Sequence, residues 1–140
     1  MAVLLVEDSP GDVRLTREAF RDTNPGIHLH VVNDGVEALA FLRREGSHSG
    51  APLPILILLD LNMPKMDGRQ LLTIIKQDSS LKTIPTLILT TSDAEADIAE
   101  SYQLRANCYL NKPVQLEEFE DLVKSINDFW LATATLPPRN

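Results

Sequence analysis

Cysteine is nearly absent from this chain. Cys108 stands alone, so no disulfide can close within it, and the lack of a cysteine framework suits a reducing compartment, with the cytoplasm as the expectation. Long apolar runs are missing too. The first, Val3 to Val6, stops at Glu7 and Asp8, too short for a secretory signal and without a basic lead-in. No other run approaches the roughly 20 residues that span a bilayer, so neither targeting nor membrane insertion is expected. Basic residues are the minority, 13 Lys+Arg against 20 Asp+Glu for a net charge of −7. That balance offers no cationic surface to displace counterions from a nucleic-acid backbone, and nucleic acid is not expected as a partner.

What remains suffices for one core. The 140 residues, 44% hydrophobic and 24% charged, match a single domain's length. A chain of this size buries about two-thirds of its unfolded surface without metal or disulfide staples. Four runs rich in Val, Ile and Leu stand out: Val3 to Val6, His28 to Val32, Ile55 to Leu59 and Thr86 to Leu89, with a weaker fifth at Cys108 to Leu110. Three are continuous rather than alternating, the pattern of strands covered on both faces in a parallel sheet.

Helical periodicity fills the gaps. Pro10 to Asn24 places Val13, Leu15, Ala19 and Phe20 near one stripe, with Ser9 or Asp8 as N-cap and Pro10 in the first turn. Ala38, Leu39, Phe41 and Leu42 mark a second helix, and Leu71, Leu72, Ile74 and Ile75 a third. Ala94 to Leu104 is more polar, with Ile98, Ala99, Tyr102 and Leu104 to bury. Leu116, Phe119, Leu122, Val123 and Ile126 recur at spacings of three and four in a fifth. Gly46 to Pro54 reads as a loop. The order β-α repeated five times predicts an α/β fold: a flavodoxin-like, doubly wound, five-stranded parallel sheet of order 2-1-3-4-5 with helices on both faces.

In such sheets ligands bind beyond the carboxyl ends of the strands. There the sequence places Glu7-Asp8 after the first run, Asp60 after the third, Thr90-Thr91-Ser92 after the fourth and Lys112-Pro113 after the fifth. Carboxylates gathered in one small space repel unless a cation neutralises them. Mg²⁺ suits them, because it takes oxygen ligands and is held by one or two carboxylates together with a phosphoryl oxygen. The set suggests phosphoryl transfer to Asp60, with Glu7 and Asp8 holding metal, Thr90 donating a hydroxyl and Lys112 acting as a point charge. Each piece alone has a plainer meaning: Asp8-Ser9-Pro10 as a helix cap, Asp60 to Pro64 as a turn. Their co-occurrence at the ends of the right strands carries the functional reading.

At these residues the chain resembles the receiver domain of two-component response regulators, from Val3 to about Phe129. The likeness rests on Glu7-Asp8, on Asp60 followed by Asn62, Met63, Pro64 and Asp67-Gly68, on Thr90, on the aromatic Tyr109 and on Lys112-Pro113. The resemblance implies that Asp60 accepts a phosphoryl group from a histidine kinase's phosphohistidine. It implies Mg²⁺ held by Glu7 or its bound water, Asp8, Asp60 and the Asn62 backbone carbonyl, with Lys112 and Thr90 on the phosphoryl oxygens and a cis Lys112–Pro113 bond. The protein would be a phosphoacceptor with slow autodephosphorylation, not an enzyme in the ordinary sense.

The runs Val6 to Arg14, Leu89 to Ser92 and Ala106 to Val114 look most like the single-domain regulators of cyanobacterial phytochromes, implying a bilin-binding phytochrome kinase as partner. Thr91 stands where a small residue usually follows the switch hydroxyl. Phosphorylation would turn Thr90 inward and let Tyr109 fill the vacated space, reshaping the face of the fourth helix, fifth strand and fifth helix.

The receiver is expected over residues 1–130, with residues 131–140 as a tail. Phe129, Trp130 and Leu131 are more apolar than a helix end needs. Trp130 either folds back on its own core or, with Phe129 and Tyr102, covers a second copy in a homodimer. His28 and His30 share a strand face without a third ligand and read as polar surface; Cys108 reads as buried and inert, and Met63 and Met66 as loop packing. Two rivals are weaker. An aspartyl-phosphate hydrolase of the haloacid dehalogenase kind wants a second Asp where Asn62 stands, and a flavodoxin wants a phosphate loop where Glu7-Asp8 would repel FMN. At this length a DNA-reading effector domain is not expected.

Overall fold

The computed structural model describes residues 1–63 and 65–138; Pro64 of the turn after Asp60, and Arg139 and Asn140 of the tail, lie outside the described residues. Strands and helices alternate as β1 (Ala2–Val6), α1 (Pro10–Thr23), β2 (His28–Val32), α2 (Gly35–Arg43), β3 (Leu56–Leu59), α3 (Gly68–Gln77), β4 (Thr86–Thr90), α4 (Glu95–Gln103), β5 (Cys108–Asn111) and α5 (Leu116–Ile126). The five strands form one parallel sheet in the order β2-β1-β3-β4-β5, as the sequence predicts.

Alternate residues of the central strands feed two cores, because successive side chains of a strand point to opposite faces. Leu4, Val6, Ile57, Leu59 and Ile88 pack with Leu39, Leu42, Leu71, Leu72 and Ile75 of α2 and α3. Val3, Leu5, Leu56, Leu58 and Leu87 pack with Ala19 and Phe20 of α1 and Phe119, Val123 and Ile126 of α5. Caps start three helices at defined residues. Ser9, rather than Asp8, caps α1 by accepting from the Asp12 amide, Asp34 caps α2 by accepting from the Glu37 amide, and Asp67 forms a reciprocal box with Gln70 at α3. Capping by Ser9 leaves Asp8 free for the site.

Four details differ from the sequence reading. The 46–54 segment contains a 3-10 turn, Gly46–His48, rather than loop alone. Only Ser101 of α4 is buried, while Ala99 and Tyr102 are exposed and Ile98 and Leu104 half-buried; a short polar helix lying over the β5 edge has little sheet to cover. A π-helical segment, Asn127–Thr133, prolongs α5 and packs Trp130 and Leu131 against the α1–α5 core, with Phe129 left outside. Every described peptide bond is trans, Lys112–Pro113 included, since an X–Pro amide favours trans by only about 0.5–1 kcal/mol and its surroundings choose the isomer. No described helix is long and apolar enough to cross a membrane.

Candidate functional site

The sheet register sets the site. Val6 pairs with Leu59 and Leu59 with Ile88, so β1, β3 and β4 reach their carboxyl ends side by side. Glu7 and Asp60 therefore emerge at one level, and the Lys112 amide donates to the Thr90 carbonyl at 2.8 Å. Among the described residues, one group of three potential metal-binding side chains occurs: Glu7, Asp8 and Asp60, whose ligand oxygens lie within 4.8 Å of one another. Glu7 and Asp60 are buried and Asp8 is exposed. This all-carboxylate donor set fits a hard cation such as Mg²⁺, which leaves water on its open side.

Lys112 ties the cluster together, its side chain 5% exposed. The ammonium donates to Glu7 Oε1, to Asp12 Oδ2 at 2.9 Å and to Asp60 Oδ2 at 3.2 Å. Glu7 Oε2 accepts from the Asp8 amide at 3.0 Å and the Ser9 amide at 3.3 Å, and Asp60 Oδ1 from the Asn62 amide at 3.3 Å. One cation thus faces Glu7, Asp12 and Asp60. Burial pushes the Glu7 carboxyl up to about 7, with Asp60 adding to the shift and Lys112 opposing it. Burial alone would lower the Lys112 pKa, but Glu7 above all, then Asp12 and Asp60, hold it above its ordinary value.

Gly68 supports Asp60 from beneath. A Cβ there would collide with the Asp60 carbonyl oxygen and come within 2.7 Å of Leu61 Cα, so glycine is required for the close approach of α3 to the end of β3. Thr90, fully buried at the end of β4, carries the one buried side-chain polar atom without a partner among the described residues, its Oγ1. An unpaired buried hydroxyl costs about 1–3 kcal/mol, and this one sits at the carboxyl end of β4. The Tyr109 hydroxyl donates to the Ser92 carbonyl at 2.9 Å, and the Tyr109 amide donates to Tyr102 Oη at 3.2 Å.

The structure brings together Glu7, Asp8, Asp60 and Lys112 as the sequence reading expected. Asn62 adjoins through its amide, and Thr90 and Tyr109 lie along the β4–β5 edge. Tyr102 and Phe129 are 50% and 55% exposed on the α4 and α5 side, whereas Trp130 is partly covered by its own core. His28 and His30 join no ligand cluster among the described residues. Burial pushes the Cys108 thiol up, away from reactivity. Sequence reasoning missed Asp12. The available signal was a carboxylate in the first turn of the helix leaving β1, where α1 starts at the rim of the cluster.

Comparison with known proteins agrees with this geometry. The family model described as "Response regulator receiver domain" matches residues 3–124. Response regulator Rcp1 of Synechocystis sp. is 47% identical over 135 residues, covering 96% of this chain and 92% of the relative. The crystal structure of the phosphorylated cyanobacterial phytochrome response regulator RcpA superposes with a TM-score of 0.94 at 48% identity, covering 98% of each chain. That of the Mn²⁺-bound form of Rcp1 gives 0.91 at 47%, covering 98% of this chain and 99% of the other. On a family match spanning most of its length and near-half identity to a relative over almost all of it, the chain belongs to the response regulator receiver domains, the signalling modules of two-component systems.

Proposed function

We propose that Asp60 is the phosphoacceptor of this receiver and that the group comes from a histidine kinase of the bilin-binding phytochrome type. The observation that supports it is the convergence of Glu7, Asp8 and Asp60 oxygens within 4.8 Å of one another, with the Lys112 ammonium 3.2 Å from Asp60. In the step, an Asp60 carboxylate oxygen forms the new P–O bond as the P–N bond to the kinase imidazole breaks, and that nitrogen leaves with the electron pair. Mg²⁺ held by Asp8, Asp60, the Asn62 carbonyl and Glu7 or its water would offset the negative charge of phosphoryl group and carboxylates.

The protein's own groups do the rest. The Asn62 amide orients Asp60 through Oδ1, leaving Oδ2 facing Lys112. Lys112 moves its charge onto a phosphoryl oxygen, and the unpartnered Thr90 hydroxyl donates to another. Tyr109 then leaves Ser92 for the space beside Thr90, and the α4–β5–α5 face changes shape. Naming of the RcpA relative as a phytochrome response regulator supports the choice of kinase. Tyr102 and Phe129, exposed on that face, support a homodimer through α4, β5, α5 and the tail, with Trp130 bracing Phe129 at a ring separation of 5.4 Å.

Incubation of the purified chain with acetyl phosphate, with and without Mg²⁺, tests the reading. Mass spectrometry should find one metal-dependent phosphoryl group on Asp60 and none in Asp60→Asn. Labelling at another residue in that variant would refute the assignment.

A further inference from the structure

The first turn of α1 departs from what its local sequence favours. Ser9 caps the helix and Asp12 stands three residues on, the spacing of a capping box, in which the second side chain reaches back to the cap residue's own amide. Asp67 and Gln70 close such a box at α3, where the Asp67 amide donates to Gln70 Oε1 at 3.1 Å. At α1 the partners are exchanged. The Ser9 amide donates to Glu7 Oε2 at 3.3 Å, and the Asp12 carboxylate turns instead to Lys112 Nζ, 2.9 Å away. Two further bonds fix the Asp12 backbone: its amide donates to Ser9 Oγ at 3.4 Å, and its carbonyl accepts from the hydroxyl of buried Thr16 at 2.7 Å. The carboxylate therefore stands on a rigid turn.

The acceptors of Lys112 are not equivalent. An ammonium has three N–H donors, and those of Lys112 go to Glu7, Asp12 and Asp60. With its side chain 5% exposed against 32% for Asp12, Lys112 has little access to water that could replace a lost acceptor. Glu7 and Asp60 belong, with Asp8, to the carboxylate group that suits a hard cation. A divalent ion there competes with Lys112 for both. Asp12 lies outside that group, so it is the partner Lys112 can keep while one N–H turns from Asp60 to a phosphoryl oxygen.

We infer that Asp12 is a positioning residue for phosphoryl transfer, holding the Lys112 ammonium beside Asp60 by a carboxylate that stands outside the metal-binding group. This rests on Asp60 being the acceptor. Asp12 acts through Lys112 and touches neither the metal nor the phosphoryl group. Its loss leaves the ammonium dependent on Glu7 and Asp60, the two carboxylates a metal ion draws away, and the charge that should meet the arriving oxygens is then poorly placed. A first-turn carboxylate also suits the helix dipole, so its effect on the fold must be read apart from its effect on the transfer.

The test compares full-length wild type, Asp12→Ala, Asp12→Asn, Lys112→Met and the Asp12→Ala/Lys112→Met double variant, with Asp60→Asn as the blank. The rate of Asp60 labelling by acetyl phosphate is followed against Mg²⁺ concentration, giving a maximal rate and a half-saturating Mg²⁺. In Asp12→Ala the maximal rate should fall about tenfold, the low end for partners that orient a functional group. Asp12→Asn removes the same charge but keeps an acceptor oxygen, so it should recover part of that loss, to within about threefold of wild type, while both variants shift the half-saturating Mg²⁺ alike. On Lys112→Met, adding Asp12→Ala should slow labelling no further, because the group it positions is gone. A merely structural role would lower the melting temperature and leave the maximal rate unchanged, which overturns the assignment. Equal maximal rates in Asp12→Ala and Asp12→Asn, or an undiminished further loss in the double variant, overturn it too. Should Lys112→Met not fold, the comparison of Asp12→Ala with Asp12→Asn decides alone. Failure of wild type to label at Asp60 instead overturns the phosphoacceptor assignment itself.

Discussion

Lys112 Nζ lies 3.2 Å from Asp60 Oδ2, although the two residues are 52 positions apart. The same ammonium reaches Glu7 and Asp12, so the positive charge that neutralises the resting cluster is the one that would meet an arriving phosphoryl oxygen. The cation that holds the carboxylates together is the one the proposed transfer would use.

Loss of that cation should be costly. Lys112→Met leaves buried carboxyls facing one another, and breaking a buried pair by removing one partner typically costs about 3–5 kcal/mol. The expected urea midpoint is well below wild type at pH 8 and closer to it at pH 5, where protonation relieves the repulsion. Acetyl phosphate labelling should fall at least tenfold.

Stability should also depend on pH through Glu7. Its folded pKa of about 7 lies above the ordinary 4.5, so the folded state holds this proton more tightly than the unfolded chain. Stability from this group is full below pH 4.5, declines as pH rises, and is lost above about pH 7. Lys112, raised in the fold, stays charged in both states over that window and adds no slope. Urea unfolding between pH 5 and 8 should show a decline in wild type and a flatter trend in Glu7→Gln. Saturating Mg²⁺ should flatten the wild-type curve by favouring the ionised carboxyl.

Gly68→Ala tests the support beneath the acceptor. A Cβ aimed at the Asp60 carbonyl forces the β3–α3 turn to shift, and overpacking of this kind costs about 1–3 kcal/mol. Displacement of Asp60 should slow labelling more than the same loss of stability produced at a remote core position.

Thr90→Val separates stability from switching. It replaces an unpartnered buried hydroxyl with a methyl of similar shape, so the melting temperature should hold or rise, by up to about 1 kcal/mol in stability. Affinity for beryllofluoride should nonetheless fall, because that donor is gone. Unchanged affinity would remove Thr90 from the site.

The homodimer is tested most cleanly at Phe129. With half its surface exposed, Phe129→Ser should change stability by no more than about 0.5 kcal/mol, while sedimentation should report the monomer mass. A chain cut after Asn127 is a blunter test, since it also strips Trp130 from the α1–α5 core.

Most of the fold was legible because its signals are local. Continuous Leu and Ile runs, Ser9 before Pro10 and the three-four spacing from Leu116 to Ile126 are each encoded within a few residues. The site was half legible for a related reason: polar residues that end apolar runs must gather at one sheet edge once the strands are parallel, which placed Glu7, Asp8, Asp60 and Lys112 in advance. Tertiary structure decided the rest. Asp12 meets Lys112 across 100 positions and Arg69 meets Asp97 across 28, pairings set by strand register and helix crossover that no local pattern contains. Whether Thr90 keeps a partner and which tail residue turns inward are likewise results of packing. A short-range code specifies backbone shape and apolar faces, while charge pairing follows only after distant segments have been brought within a few ångströms.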